Sequence, residues 1–431
     1  MRDLGALVRA RAARIVADVA GGASLDRALE PTGRGSESSP LLRELTYGTV
    51  RHWFSLNEVI DRAMTKRLRE DDLLLRALLA VGAYQIRHMR TPAHAAVHET
   101  VAAAARIGRT SAKGLVNRVL RRLSTEGLEP VSEIGRFDQP EWLLDRLRAQ
   151  RPRDWQALLH ASNGRAPMAL RVNSARISRP DYAALLADAG IAHRDGIASS
   201  SLVLARPVRA AELPRFADGW VSVQDEGAQL AAEILDARPG ERVLDACAAP
   251  GGKALACLER ARVDLCALDV DERRCEAMRA EFRRLGFDSS AVRRGDATRT
   301  DWWDGRPFDR VLLDAPCSGT GTLRRHPDIK LLKRASDLAA YARAQQALLD
   351  GLWPVLAPGG TLVYCTCSIL DDENERVVSA FLANATDAAS EPIHTAVGES
   401  APHGLQLLPS EGGPDGFYYA KLTKRNSAAP Q

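Results

Sequence analysis

The chain has 431 residues, 45% hydrophobic and 26% charged, enough for two or three buried cores and too apolar for wholesale disorder. Its net charge of +4 is uneven: residues 1–130 hold 21 Lys and Arg against 14 Asp and Glu, the remainder 38 against 41. No signal-peptide core opens the sequence and no apolar run is long enough for a membrane span, so a soluble, cytoplasmic protein is expected.

Residues 1–123 read as all-helical. Leu4, Leu7, Val8, Ala12 and Ile15 recur at helical spacing, as do Leu41, Leu42, Leu45, Val50 and Trp53, and then Leu73, Leu75, Leu78, Leu79 and Tyr84. A polar break covers 31–39, Pro92 opens another helix, 108–113 is a turn and 115–123 a short final helix. Arg106, Arg109, Lys113, Arg118, Arg121 and Arg122 follow one another without an intervening acid. A solvated helix face accounts for such a run, and so does a surface that contacts RNA phosphates. Residues 77–85, 92–99 and 114–121 resemble the helical RNA-binding domain of the antitermination factor NusB. That resemblance covers most of 1–125, implies RNA binding and supplies no catalytic residue.

Residues 124–140 read as a linker, 141–150 and 154–162 as helices, 169–173 and 201–205 as strands and 180–189 as a helix. This small α+β block either positions RNA or completes the next core. A helix from 224 to about 235 leads to Pro239-Gly240, after which strands at 242–246, 263–269, 291–293, 308–314, 361–366 and 416–422 alternate with helices near 253–260, 272–285 and 338–356. Alternation of this kind predicts a Rossmann-like parallel sheet wrapped by helices. A polar insertion at 384–404 and a frayed tail at 426–431 complete the reading. Three domains are expected: all-α over 1–130, small α+β over 131–215 and α/β over 216–425.

The first strand of the α/β part runs into Cys247-Ala248-Ala249-Pro250-Gly251-Gly252-Lys253. Small residues and two glycines allow backbone to approach a ligand, and the next helix offers free N–H groups there. The spacing fits neither a dinucleotide fingerprint nor a P-loop, and a tight structural turn would use the same residues. Asp269 ends the second strand, where an acid can accept from ribose hydroxyls, and Asp296 follows the third, where it could meet an adenine amino group. Either acid alone would serve as a helix cap. Together they fit S-adenosylmethionine, which has a free ribose and no phosphate.

All seven cysteines lie between Cys247 and Cys367, an odd count that argues against a disulfide framework. Two strands deliver thiols in parallel fashion: Asp314-Ala315-Pro316-Cys317-Ser318, followed by Arg324-Arg325-His326-Pro327-Asp328-Ile329-Lys330, and Tyr364-Cys365-Thr366-Cys367-Ser368. No neighbouring His or Cys has zinc-site spacing, so no metal is expected. Cys247, Cys257, Cys266 and Cys275 read as structural. A regular strand would place Cys365 on the same face as Cys367 and a turn at Thr366 would part them; we take Cys365 as packing. Arg324, Arg325, His326 and Lys330 are either surface charge or holders of RNA phosphate.

In order and spacing, these motifs resemble the Sun family of RNA cytosine carbon-5 methyltransferases, over nearly the whole chain with the NusB-like front included. The resemblance implies methyl transfer from S-adenosylmethionine to small-subunit ribosomal RNA, naked or at an early assembly stage, by a monomer. It gives nucleophilic attack to Cys367 and release of the adduct to Cys317. On chemical grounds alone the two roles could be exchanged. It gives the cytosine edge to Asp314, with Lys253 bordering the reaction centre, and places 247–253, Asp269, Asp296 and Asp314 around the cofactor. Methylation of transfer RNA and a non-catalytic antitermination factor are the rival readings.

Overall fold

The computed structural model describes residues 4–30, 39–66, 68–69 and 72–426; the break expected at 31–39 and the tail expected at 426–431 lie almost wholly outside them. The chain forms two compact units, Met1–Arg165 with Leu323–Ala335, and Ala166–Thr322 with Ser336–Gln431. The small α+β sheet and the large sheet thus share one unit.

The first unit is helical: α1 (Leu4–Ala20), α2 (Leu25–Leu29), α3 (Pro40–Arg51), α4 (Trp53–Ala63), α5 (Leu73–His88), α6 (Ala93–Arg106), α7 (Lys113–Glu126), α8 (Glu133–Phe137), α9 (Glu141–Gln150) and α10 (Trp155–Asn163). Side chains of Ser24, Ser39, Asp72 and Ser132 accept from backbone amides three residues on, so α2, α3, α5 and α8 begin where a capping oxygen is available. The apolar stripes meet in one core that includes Ala13, Val16, Leu45, Leu56, Leu78, Leu79, Val116 and Leu120. Helices α3 and α5 approach closely at Gly48, where a Cβ would lie 2.0 Å from Tyr84 Cζ. The expected linker at 124–140 is not one: α7 runs to Glu126, Gly127 closes it in the left-handed region, and α8 follows. Five residues are too few to show helical periodicity, which is why α8 is invisible in the sequence.

The second unit opens with β1 (Met168–Val172), α11 (Arg179–Asp188), β2 (His193–Asp195), β3 (Ser201–Leu204) and β4 (Val221–Val223), an antiparallel sheet in the order β2-β3-β1-β4. Then come α12 (Glu226–Leu235), β5 (Arg242–Ala246), α13 (Gly252–Arg260), β6 (Asp264–Asp269), α14 (Glu272–Leu285), β7 (Val292–Arg294) and β8 (Phe308–Asp314). After the segment containing α15 (Ile329–Leu332), which belongs to the helical unit, the chain continues with α16 (Leu338–Leu352), β9 (Leu356–Thr366), α17 (Glu375–Asn384), β10 (Ala388–Glu391), β11 (Glu399–Ala401), β12 (Gly404–Leu407) and β13 (Phe417–Lys424). The large sheet has the order β11-β12-β13-β9-β8-β5-β6-β7, with β10 also on β13. Strands β9, β8, β5, β6 and β7 are parallel, and β13 joins β9 antiparallel. The insertion expected at 384–404 therefore holds two strands. Among the described residues no helix is long and apolar enough to cross a membrane.

Candidate active site

The parallel strands end together, and their loops are where an open α/β sheet places its chemistry. After β5 the chain turns through Cys247, at φ 60, and Gly251, at φ 99. A Cβ on Gly251 would lie 2.8 Å from Met278 Cγ, so both conformation and space favour glycine there. Backbone bonds tie this turn to β6: the Ala248 amide donates to the Leu268 carbonyl at 2.8 Å and the Ala249 amide to Asp269 Oδ2 at 3.2 Å. The Arg274 guanidinium contacts Asp269 at 3.3 Å and donates to the Ala249 carbonyl at 2.5 Å. Sequence reading missed this arginine, whose signal was its place in the first turns of the helix that follows an acid-ended strand.

Strands β8 and β9 bring the thiols together. Asp314 pairs with Cys365 in register, the Ala315 amide donates to the Cys365 carbonyl and the Gly321 amide to the Cys367 carbonyl, each at 2.9 Å. These bonds lace the two turns, leaving Cys317 Sγ 3.4 Å from Cys367 Sγ. That separation is hydrogen-bonding distance for two free thiols, well beyond the roughly 2.05 Å of a disulfide. The hydrogen bond to Cys367, burial and the nearby Glu373 carboxylate all push the Cys317 thiol well up.

Behind the thiols, Lys253 Nζ donates to Asp314 Oδ2 at 2.6 Å, and Cys365 Sγ lies 3.5 Å from Asp314 Oδ1. Burial works against the Lys253 charge, but Asp314 and the thiols of Cys365 and Cys367 outweigh it and hold the ammonium protonated. Asp245 is fully buried beside them; burial and then Asp314 raise it well above the usual carboxyl range, with Lys253 and the Ala254 amide offsetting only part of the rise. Cys365 is buried in the core and its thiol is raised by burial and by Asp314. Burial likewise pushes Cys247 up to about 12 and Cys266 to about 11.

A cavity of about 530 Å³ gathers Cys247, Ala249, Asp269, Asp296, Asp314, Cys317 and Cys367 along its wall. Ala248, Pro250, Gly251, Gly252 and Lys253 form the turn beside it without lining it. Asp296 accepts from the amide and hydroxyl of Thr298, which lower its carboxyl. The rest of the wall is mainly apolar, including Val270, Ala297, Ala344 and Leu348.

The basic candidates all belong to the helical unit. Arg109, Arg118 and Arg121 are exposed and Arg106 and Lys113 half-buried; Arg109 faces Asp72 and Arg122 pairs with Glu126. Arg325 is half-buried and His326 exposed. Arg324 and Lys330 are only 2% exposed, so neither is the surface charge that its neighbourhood in the sequence suggests. Lys330 Nζ donates to the Arg51 carbonyl at 2.8 Å and to Asn163 Oδ1 at 2.6 Å, and Asp328 accepts from the Leu25 amide at 2.9 Å. The segment that reads as a basic patch is packed into the helices.

Against known families, residues 232–423 match 16S rRNA methyltransferase RsmB/F, 139–211 match the RsmF/B-like ferredoxin-like domain and 7–125 match the NusB family. Ribosomal RNA small subunit methyltransferase B of Pseudomonas putida is 46% identical over 89% of this chain and 90% of its own length. The enzyme of that name from Vibrio vulnificus is 43% identical over 97% and 99%. The chain belongs to the RsmB/F family. A methyltransferase homologue from Pyrococcus horikoshii has a solved structure with TM-score 0.60 and 28% identity, covering 68% of this chain and all of that one. NSun6 from the same organism shares the fold at 19% identity and TM-score 0.58, covering 67% of this chain and 99% of its own.

As an RsmB/F member, the chain is a methyltransferase dependent on S-adenosylmethionine. The residues present fit that cofactor. Three carboxylates of one cavity, at or just past the ends of β6, β7 and β8, suit hydroxyls and a cationic ligand, the glycine turn leaves room for it, and among the described lining residues Arg274, paired with Asp269, is the one cation.

Proposed function

We propose that this protein methylates carbon 5 of a cytosine in small-subunit ribosomal RNA through a covalent adduct to Cys367. The observation that carries the reading is the pair of thiols at 3.4 Å in the same cavity as Asp269, Asp296 and Asp314. S-adenosylmethionine, when bound, supplies an electrophilic methyl group. Cytosine carbon 5 is a weak nucleophile until a thiolate adds to carbon 6. The Cys367 thiolate forms a sulfur–carbon 6 bond, the carbon 5–carbon 6 π electrons shift toward the ring nitrogen, and carbon 5 becomes enamine-like. Asp314, held by Lys253, faces the cytosine amino and ring-nitrogen edge and favours the ring protonated at that nitrogen, which accepts the displaced electrons and so promotes the addition. After methyl transfer the carbon 5 proton leaves, the double bond re-forms and the carbon–sulfur bond breaks. Cys317 serves that step by passing its proton to the departing Cys367 sulfur and taking the carbon 5 proton in exchange. Asp269 and Asp296 orient the cofactor. The target base must be unpaired or flipped out, because stacking covers the face the thiolate attacks.

NusB-like helices N-terminal to the catalytic domain in the sequence fit an RNA-binding role, with Arg118, Arg121 and His326 the candidates for phosphate contact. We read the enzyme as a cytoplasmic, metal-free monomer acting on naked or early-assembly RNA.

The test is transfer of a labelled methyl group to unmodified small-subunit ribosomal RNA, with transfer RNA as competitor. Cys367→Ala is expected to be inactive, and Cys317→Ala to accumulate RNA cross-linked through Cys367. An adduct in Cys367→Ala instead would exchange the thiol roles, and preference for transfer RNA would overturn the substrate.

A further inference from the structure

One buried carboxylate has no part in the chemistry so far. Glu373 lies seven residues past the end of β9, in the turn between Ser368 and α17, and it is fully buried without lining the cavity. Its Oε1 accepts from the Ser318 amide at 2.7 Å, and its Oε2 accepts from the Ser318 hydroxyl at 2.5 Å and the Ser368 hydroxyl at 2.8 Å. Ser318 follows Cys317 and Ser368 follows Cys367, so a single carboxylate joins the residues next to both thiols. Gln345 of α16 completes the frame, donating to the Pro316 carbonyl at 2.9 Å and reaching Glu373 at 3.5 Å. Both neighbours of Cys317 are therefore pinned. Thr320 ties the same cluster together, 3.2 Å from the Ser318 hydroxyl and 3.1 Å from that of Ser368.

We propose that Glu373 is a positioning residue for methyl transfer: it clamps the Cys317 turn to the Cys367 turn, and its charge keeps the proton of the thiol pair on Cys317. This rests on the reading of Cys367 as nucleophile. Burying a carboxylate is costly unless several donors compensate, and three strong ones do so here. Burial raises the Glu373 carboxyl above its ordinary range, and the hydrogen bonds from Ser318 and Ser368 offset only part of that rise. The groups facing the thiol pair are Glu373 and the buried Tyr364 hydroxyl on the Cys317 side, with Lys253 and the buried Tyr419 hydroxyl on the Cys367 side and Asp314 bonded to Lys253. Negative charge next to Cys317 disfavours a thiolate there, while the Lys253 ammonium lies on the Cys367 side. An asymmetric environment thus gives two otherwise similar thiols different jobs.

The experiment uses the full-length protein with Glu373→Ala, Glu373→Gln and Ser318→Ala. Iodoacetamide labelling of each thiol is followed across pH by peptide mass, without RNA, beside steady-state methyl transfer. In the wild type Cys367 should label first. Glu373→Ala should bring Cys317 labelling to lower pH and reduce kcat on the order of a hundredfold, as misplacement of reacting groups does, with KM for RNA little changed. Glu373→Gln keeps an acceptor for the Ser318 amide and an amide group for the hydroxyls, so it should recover much of kcat while Cys317 labels as in the alanine variant. Ser318→Ala, which spares the charge, should lower kcat and leave the labelling profile in place. A folded Glu373→Ala with wild-type kcat and labelling overturns the proposal. If that variant does not fold, wild-type behaviour of both Glu373→Gln and Ser318→Ala overturns it equally. Failure of the underlying thiol assignment is read elsewhere, as an RNA adduct in Cys367→Ala, and would overturn the proposal from a different variant.

Discussion

Burying an amine without a carboxylate partner shifts its titration downward, and Lys330 is in that position. Its two acceptors, the Arg51 carbonyl and Asn163 Oδ1, are neutral. Burial lowers its pKa to about 7, against the pull of Asp138 and aided by Arg51. The unfolded lysine titrates near about 10.4. Between the two values the unfolded chain binds more protons, so stability rises with pH through that window and is lost as pH falls toward 7. Urea unfolding of the wild type and of Lys330→Met, at about pH 7 and about pH 9.5, should therefore show the wild type gaining on the variant as pH rises. A difference independent of pH would mean that the amine is charged throughout. The sequence around Lys330 conceals this, because Arg324-Arg325-His326 and Lys330 spell a surface patch while two of the four are buried by helices far away in the chain.

At the scale of elements, β1 and α13 are joined by Arg171 and Glu259, each 2% exposed, through contacts of 2.7 and 2.8 Å. The remaining Arg171 nitrogen donates to Gln224 and to the Gly252 carbonyl, so this bridge also braces the first turn of α13 behind the cofactor loop. Removing one partner leaves a buried charge uncompensated, so Arg171→Ala and Glu259→Ala should each cost about 3–5 kcal/mol in urea unfolding. The double variant should cost much less than their sum, and additive losses would show that the pair is not coupled. Arg171→Ala should also raise KM for S-adenosylmethionine by loosening Gly252. Nothing in the sequence points to this bridge, whose partners are 88 residues apart. The same limit applies to Glu373, 55 residues from Ser318. What is legible is what is local: the helical stripe of α5, the alternation of β5 to β9 with helices, and the cysteine motifs whose chemistry is written in neighbouring letters. Three-residue strands such as β2 and β4 carry too little pattern to be read, and Cys365 could be placed only once β9 was seen to end at Thr366.

At the scale of the whole molecule, division into two units makes cofactor binding a selective stabiliser. A ligand held between Asp269, Asp296 and Asp314 binds one of the two compact units, and linkage confines its free energy to states in which that unit is folded. At a hundred times its dissociation constant it adds about 2.7 kcal/mol. For a unit of this size each kcal/mol moves the midpoint by roughly 2–4 °C, so S-adenosylmethionine should raise the catalytic unit's transition by about 5–10 °C. Hydrogen exchange locates the effect: amides of β5, β6 and β8 should slow on addition of the cofactor, and those of α5 and α7 should not. Asp269→Ala should abolish both the shift and the slowing, since Asp269 anchors the Ala249 amide as well as facing the cavity. Equal slowing in α5 would mean that the helices and the catalytic sheet unfold as one cooperative body, and that RNA held by the first unit and cofactor held by the second can report on each other through stability alone.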